Sequence, residues 1–121
     1  MAPDLPPLRE RIASGVTPEE GVERSLLEVL SDPASLSILA ATDGRGLSAS
    51  EIAETVGLPL STVYRKLDRL AETPLVEQSY RLETDGKHTS QYRCVVSDVR
   101  LTIETHGGDA VTHTLLDTDD R

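Results

Sequence analysis

The chain has 121 residues, enough for one domain with a single core. Twelve basic residues against 21 acidic ones give a net charge of -9, and a single cysteine, Cys94, excludes an internal disulfide and a multi-cysteine zinc site. No apolar run approaches the ~18 residues that a membrane span requires, and the N-terminus has no basic stretch typical of a signal peptide. We therefore expect a cytoplasmic protein with no membrane association and no cofactor.

The basic residues are concentrated in one third of the chain. Residues 61–100 hold seven basic and six acidic residues, whereas residues 1–60 hold four and ten. An anionic partner would therefore meet the segment 61–100. The acidic balance and the presence of only two lysines are typical of proteins from salt-loving archaea, and an ordinary acidic protein is the alternative.

The first half of the chain predicts an arm and two helices. Residues 1–16 contain three prolines and no sustained period, so we expect a flexible N-terminal arm. Thr17 followed by proline is typical of a helix start and predicts a first helix over about 18–31. Asp32 followed by proline repeats that signal and predicts a second helix over about 33–42.

Two further helices are predicted from capping signals and from apolar spacing. The sequence SASE at 48–51 is a capping box that begins a third helix, about 49–56, and Gly57 ends it. Ser61 is then a second N-cap, and apolar residues at helical spacing predict a fourth helix over about 62–72.

The pattern then changes to the alternation of strands. Residues 76–82 alternate apolar and polar side chains, an Asp-Gly turn signal follows, and 91–96 form the predicted return strand of a hairpin with a charged tip. A second hairpin is predicted over 98–116, and the last residues, 117–121, are expected to be a frayed acidic tail.

Residues 49–70 fit a helix-turn-helix, because two capped helices share an apolar core across a tight turn at Gly57. The predicted fold class is α+β, a winged helix-turn-helix of three to four helices followed by a β-hairpin wing and a second hairpin. The predicted division of the chain is a flexible arm at 1–16, a winged helix-turn-helix DNA-binding domain at 17–97, a C-terminal hairpin extension at 98–116 and an acidic tail at 117–121.

Three segments carry a resemblance to a known family. Residues 30–39 (LSDPASLSIL), 48–54 (SASEIAE) and 61–67 (STVYRKL) resemble the winged-helix transcription regulators of the ArsR/MarR-like superfamily in their archaeal form. The sequence departs from that family at Ser35, where a basic residue is usual. It also lacks the cysteine pair of the metal-sensing members, so metal sensing by that route is not expected. The resemblance implies a regulator of transcription.

The outward face of the fourth helix and the wing around 83–91 supply the candidate DNA contacts. A recognition helix enters the major groove N-terminus first, and a guanidinium can bridge guanine O6 and N7, so we assign Arg65 to base edges. We assign Lys66 and Arg69 to phosphates. The other candidates are Ser61, Thr62 and Tyr64 on the helix and Arg81, Lys87, His88 and Thr89 on the wing. A solvated helix face and a solvated turn are the alternatives.

The predicted function is a DNA-binding transcriptional regulator that binds double-stranded DNA as a homodimer. Either the first helix or the second hairpin would form the contact between the two subunits. The alternative is a winged-helix module that binds a protein of the transcription machinery. No nucleophile elbow, phosphate loop or paired acids indicate an enzyme, and the pattern points to no particular effector. Cys94 is either a redox switch beside Arg93 or a small buried residue of the sheet.

Overall fold

The computed structural model describes residues 20–118, so the predicted arm at 1–16, the helix start at Thr17 and the last three residues lie outside the described part. Four helices are followed by four strands. The helices are α1 Glu20–Leu30, α2 Pro33–Ala41, α3 Ala49–Val56 and α4 Leu60–Leu70. The strands are β1 Val76–Leu82, β2 His88–Cys94, β3 Val96–His106 and β4 Asp109–Thr118.

The start and end of α3 follow the predicted local signals. The Ser48 hydroxyl accepts a hydrogen bond from the Glu51 amide at 3.2 Å, and the Glu51 carboxylate accepts one from the Ser48 amide at 2.8 Å. Gly57 then adopts the left-handed conformation, with φ 72°, and its amide donates to the Ala53 carbonyl. These bonds satisfy backbone groups that a helix end leaves without a partner, so the capping box and the glycine stop are both confirmed.

The start of α4 differs from the prediction. The helix begins at Leu60 after Pro59, and no side chain caps it, so the N-cap predicted at Ser61 is wrong. The Pro59 carbonyl accepts the first helical hydrogen bond, from the Val63 amide at 3.0 Å. The fixed φ of proline suits this position, and Ser61 therefore lies inside the first turn.

The core joins all four helices to the base of the β structure. The side chains of Val63, Leu67 and Leu70 place the inner face of α4 against this core, each 0–1% exposed. Burying a side chain of this size contributes about 1.5–3 kcal/mol, so three of them hold α4 in one orientation. The remaining fully buried apolar side chains are Leu26, Ile38, Ile52, Leu75 and Leu116.

The strands form two separate antiparallel hairpins. β1 pairs with β2, from Val76 opposite Cys94 to Leu82 opposite His88, and this hairpin is the wing. β3 pairs with β4 in a second two-stranded sheet. The order of helices and hairpins confirms the predicted winged helix-turn-helix fold.

Both ends of β2 and both ends of the second hairpin differ from the prediction, and β2 ends at Cys94 rather than at 96. β2 begins at His88 rather than at 91, because the pairing with β1 continues up to the short turn. The second hairpin occupies 96–118, so Asp117 and Thr118, which we expected in the acidic tail, belong to β4. None of the helices in the described range 20–118 is long and apolar enough to cross a membrane.

The wing is fastened to the helices through the backbone of β2. Leu47 and Tyr92 exchange two backbone hydrogen bonds, of 3.0 and 2.8 Å, and the Cys94 amide donates to the Thr42 carbonyl at 3.0 Å. The loop between α2 and α3 is therefore joined to β2 by two isolated bridges, one parallel at Asp43 and one antiparallel at Leu47. This attachment places the wing beside the first turn of α3.

Candidate nucleic-acid interface

The face of α4 opposite the core is polar and open to solvent. Arg65 and Arg69 are exposed and lie one helical turn apart, Tyr64 is half-exposed beside them, and Ser61 is exposed in the first turn. Thr62 is half-buried. The structure therefore brings five of the six predicted helix contacts to the outward side of α4, from its first turn to its last, with both arginines exposed to solvent.

Arg65 and Arg69 form no ion pair with any described residue, and neither does Lys87 in the turn of the wing. Their charges are available to an anionic partner. An unpaired guanidinium presents its donors in a fork that matches a guanine edge or a phosphate.

Lys66 has a partner within the chain. Its Nζ lies 2.8 Å from Oδ2 of Asp32, and the side chain is only 21% exposed. The same carboxylate accepts a hydrogen bond from the Ser35 hydroxyl at 2.8 Å. The bond from Lys66, and then that from Ser35, lowers the pKa of Asp32. Lys66 thus ties α4 to the turn between α1 and α2, whereas the sequence suggested a phosphate contact.

Arg81 also has partners within the chain. Its guanidinium lies 3.1 Å from Oε1 of Glu51 in α3 and 3.3 Å from Oε1 of Glu83 in the wing. The pKa of Glu51 is lowered, first by the hydrogen bond from the Ser48 amide and also by Arg81. Arg81 therefore joins the wing to α3 and supports the position of the wing.

A cleft of about 300 Å³ lies between the first turn of α3, the middle of α4 and β2. Three predicted site residues, Tyr64, His88 and Thr89, line it together. The sequence analysis missed the other lining residues, which are Ser48, Ala49, Ser50, Ser90 and Tyr92. No local signal marks them, because the cleft exists only once β2 pairs with Leu47.

Among the cleft residues outside the start of α3, Tyr92 is the most buried. It is 8% exposed, and burial raises the pKa of its hydroxyl, with Tyr64, Asp68 and Tyr80 adding to the effect. All three tyrosines of the chain therefore lie close to one another, at the junction of α4 and the wing.

Cys94 is buried in β2, 6% exposed, and its thiol donates to the Val96 carbonyl at 3.5 Å. The Arg93 guanidinium lies 3.9 Å from the Glu77 carboxylate on the neighbouring strand. A buried thiol is less reactive than an exposed one, which favours the interpretation as a small core residue. Within residues 20–118, no three His, Cys, Asp or Glu side chains gather as metal ligands.

Comparisons with known proteins find similarity to a domain family and to solved structures. Residues 30–79 match the family model described as a helix-turn-helix domain. The crystal structure of NolR from Sinorhizobium fredii is similar, with 24% identity over 78% of this chain and 81% of that one and a TM-score of 0.49. A possible transcriptional regulator from Methanosarcina mazei Go1 has 16% identity over 69% and 78%, with a TM-score of 0.50. No curated protein matches the chain.

The matched segment runs from the end of α1 to the middle of β1 and so contains both α3 and α4. The chain has a winged helix-turn-helix fold, and its segment 30–79 is similar to the helix-turn-helix domain family. The domain match supports a DNA-binding regulator.

Proposed function

We propose that the chain regulates transcription by binding double-stranded DNA, with α4 in the major groove and the wing tip, 83–91, on the backbone. The observation that carries the proposal is the exposed, unpaired pair Arg65 and Arg69, on a helix whose opposite face is held in the core. An α-helix fits the major groove of B-form DNA, and arginine is well suited to read guanine there.

We sort the candidate DNA contacts by whether each charged side chain already has an ion-pair partner within the chain. Arg65 lies nearer the N-terminus of α4 and reads base edges, while Arg69 and Lys87 contact phosphates. Ser61, Thr62, Tyr64, His88 and Thr89 add polar contacts. Lys66 and Arg81, which are ion-paired inside the chain, position α4 and the wing.

We further propose that the protein binds as a homodimer. A single α4 reads only a few base pairs, and two copies place two recognition helices about one DNA turn, ~34 Å, apart on a two-fold site. The segment LSDP at 30–33 supports a place in the ArsR/MarR-like superfamily, and the net charge of -9 supports adaptation to high salt.

The negative charge of the protein opposes its approach to a polyanion. Screening weakens this repulsion as the ionic strength rises, whereas counterion release makes ordinary DNA binding weaker with salt. Only three unpaired cations lie on the proposed interface, so we expect affinity to fall with salt much less steeply than for basic helix-turn-helix proteins, or even to rise.

The test compares two double variants of equal charge change. Arg65→Ala with Arg69→Ala should abolish retention of duplexes selected from a random pool by the wild-type chain, with the fold intact by circular dichroism. Arg24→Ala with Arg45→Ala, which removes two arginines outside the interface, should retain them. Equal retention by both variants would contradict the proposal.

One observation favours a second function, a winged-helix module that binds a protein of the transcription machinery. Leu101 and Ile103 lie on one face of the β3–β4 hairpin, and each is more than two-fifths exposed. Exposed apolar side chains gathered in one element are typical of interaction surfaces. Unchanged duplex retention in the test above would support this function instead.

A further inference from the structure

The β3–β4 hairpin has one face without charge. Residues directly opposite each other in an antiparallel pair point to the same side of the sheet, so the pairing of Val99 with Leu116 defines one face. This face, which we call the neutral face, consists of Val99, Leu101, Ile103, Thr105, Ala110, Thr112, Thr114 and Leu116. The opposite face carries the charged residues of the hairpin, which are Asp98, Arg100, Glu104, Asp109 and Asp117, together with His106 and His113. In a chain whose residues are 27% charged, this segregation marks the neutral face as a contact surface.

The base of the neutral face is covered by the core, whereas its outer part is open to solvent. Leu116 is 1% exposed, and Val99 packs against the same core cluster. Farther out along the hairpin, Leu101 is 43% exposed and Ile103 is 63% exposed. β3 and β4 pair with each other and with no other strand of the described range 20–118. A two-stranded hairpin alone is marginally stable in water, so this apolar face gains stability when a partner covers it.

The lack of charge on the neutral face favours a second copy of the chain as that partner. In a two-fold contact the same patch meets itself, so a charge near the axis faces a like charge. The neutral face avoids this repulsion, although each copy carries a net charge of -9. A different, basic protein would be attracted by acidic side chains, and those lie on the opposite face of the hairpin. On the rival surface, α1, the exposed Leu27 lies beside charged Glu28 and one turn from Arg24.

We propose that the neutral face docks a second copy of this chain, with the two hairpins face to face across a two-fold axis. The hairpin lies outside the segment 30–79 that matches the helix-turn-helix domain, so the domain match gives this face no role. The inference rests on the proposed function for its purpose, because two joined copies bring two α4 helices to one duplex.

The outer part of the neutral face is small. It covers residues 101–105 and 110–114, about 17 Å along the strands and about 10 Å across them. A stable interface buries about 800 Å² on each partner, which is more than this face offers. We therefore expect a dimer that is weak in solution and stronger on a duplex with two half-sites, which holds two copies close together. Because salt screens the repulsion between two acidic chains, the dimer should also tighten as the potassium chloride concentration rises.

The experiment measures self-association of the full chain by sedimentation equilibrium over a range of potassium chloride concentrations. Ile103→Lys places a charge on the neutral face. Val111→Lys is the matched control, because Val111 is 51% exposed on the opposite face of the same hairpin. Both variants lower the net negative charge by one, so a general electrostatic effect would strengthen association in both. Circular dichroism checks that each variant is folded.

The proposal predicts a wild-type dimer that tightens with salt. Ile103→Lys should dimerise at least about tenfold more weakly, because its ammonium group loses water in the contact and meets a like charge. Val111→Lys should associate at least as tightly as wild type. In the wild-type chain, the amide resonances that shift on dilution should belong to 99–105 and 110–116. Equal association by the two variants, or dilution shifts confined to α1, would overturn the proposal.

Retention of duplexes from a random pool is scored separately, so that the interface and the proposed function can fail independently. A wild-type dimer that retains no duplex would support the interface and contradict the proposed function. A chain that stays monomeric at millimolar concentration, and that binds each duplex as one copy, would overturn the interface and leave DNA binding standing. The neutral face would then be left to a different protein. No dimer and no duplex binding would overturn both.

Discussion

The ion pair with Asp32 gives Lys66 a structural role, whereas Arg65 and Arg69 on the same helix are the proposed DNA contacts. Lys66→Met keeps the apolar stem of the side chain and removes the charge, which leaves Asp32 with the Ser35 hydroxyl as its side-chain partner. The two side chains are 21% and 27% exposed, so the pair lies at the upper end of the range for surface pairs, about 1 kcal/mol. For a domain of this size that corresponds to a fall of about 4 °C in Tm.

A double-mutant cycle of Lys66→Met and Asp32→Asn, followed by urea denaturation, measures this coupling directly. The Asp32 pKa is lowered in the folded state, so the stabilisation is complete at neutral pH. It begins to be lost as the pH falls below the ordinary value of 3.8. A coupling energy near zero would refute this reasoning. So would a Lys66→Met variant whose salt slope for DNA falls by about 1, as expected for a lost phosphate contact.

Three further predictions test other parts of the structure. Gly57→Ala should lower the free energy of unfolding by about 1–2 kcal/mol in denaturant titrations, because φ is 72° there. Leu67→Ala should cost about 2–5 kcal/mol by the same measurement, since the side chain is 1% exposed in the core. Arg81→Ala should speed amide hydrogen exchange in β1 and β2 more than in α1–α3, because the guanidinium links the wing to Glu51. Wing exchange as slow as in wild type would contradict that linking role.

Both ends of α3 were predictable because their signals are local, whereas the N-cap predicted for α4 at Ser61 was wrong. A capping box at 48–51 and a glycine stop at 57 act within a few residues of chain, and both work in the structure as in isolated helices. The periodicity of α4 likewise identified the buried face, since Val63, Leu67 and Leu70 recur at helical spacing.

The partners of the charged side chains were not predictable, because they depend on contacts distant in sequence. Lys66 flanks the buried face of α4, and only the packing of that helix against the α1–α2 turn brings Asp32 within 2.8 Å. Arg81 meets Glu51 across 30 positions of chain. The cleft at Tyr92 requires the pairing of Leu47 with β2, which no short-range pattern signals.

The central claim, that α4 lies in the major groove, is tested most directly by dimethyl sulfate protection of a selected duplex. The reagent methylates guanine N7, which lies in the major groove. The wild-type chain should protect guanines in two clusters about 10 base pairs apart, and Arg65→Ala should lose that protection while the control Arg24→Ala keeps it. A bound complex whose guanine N7 atoms stay fully reactive would contradict the claim.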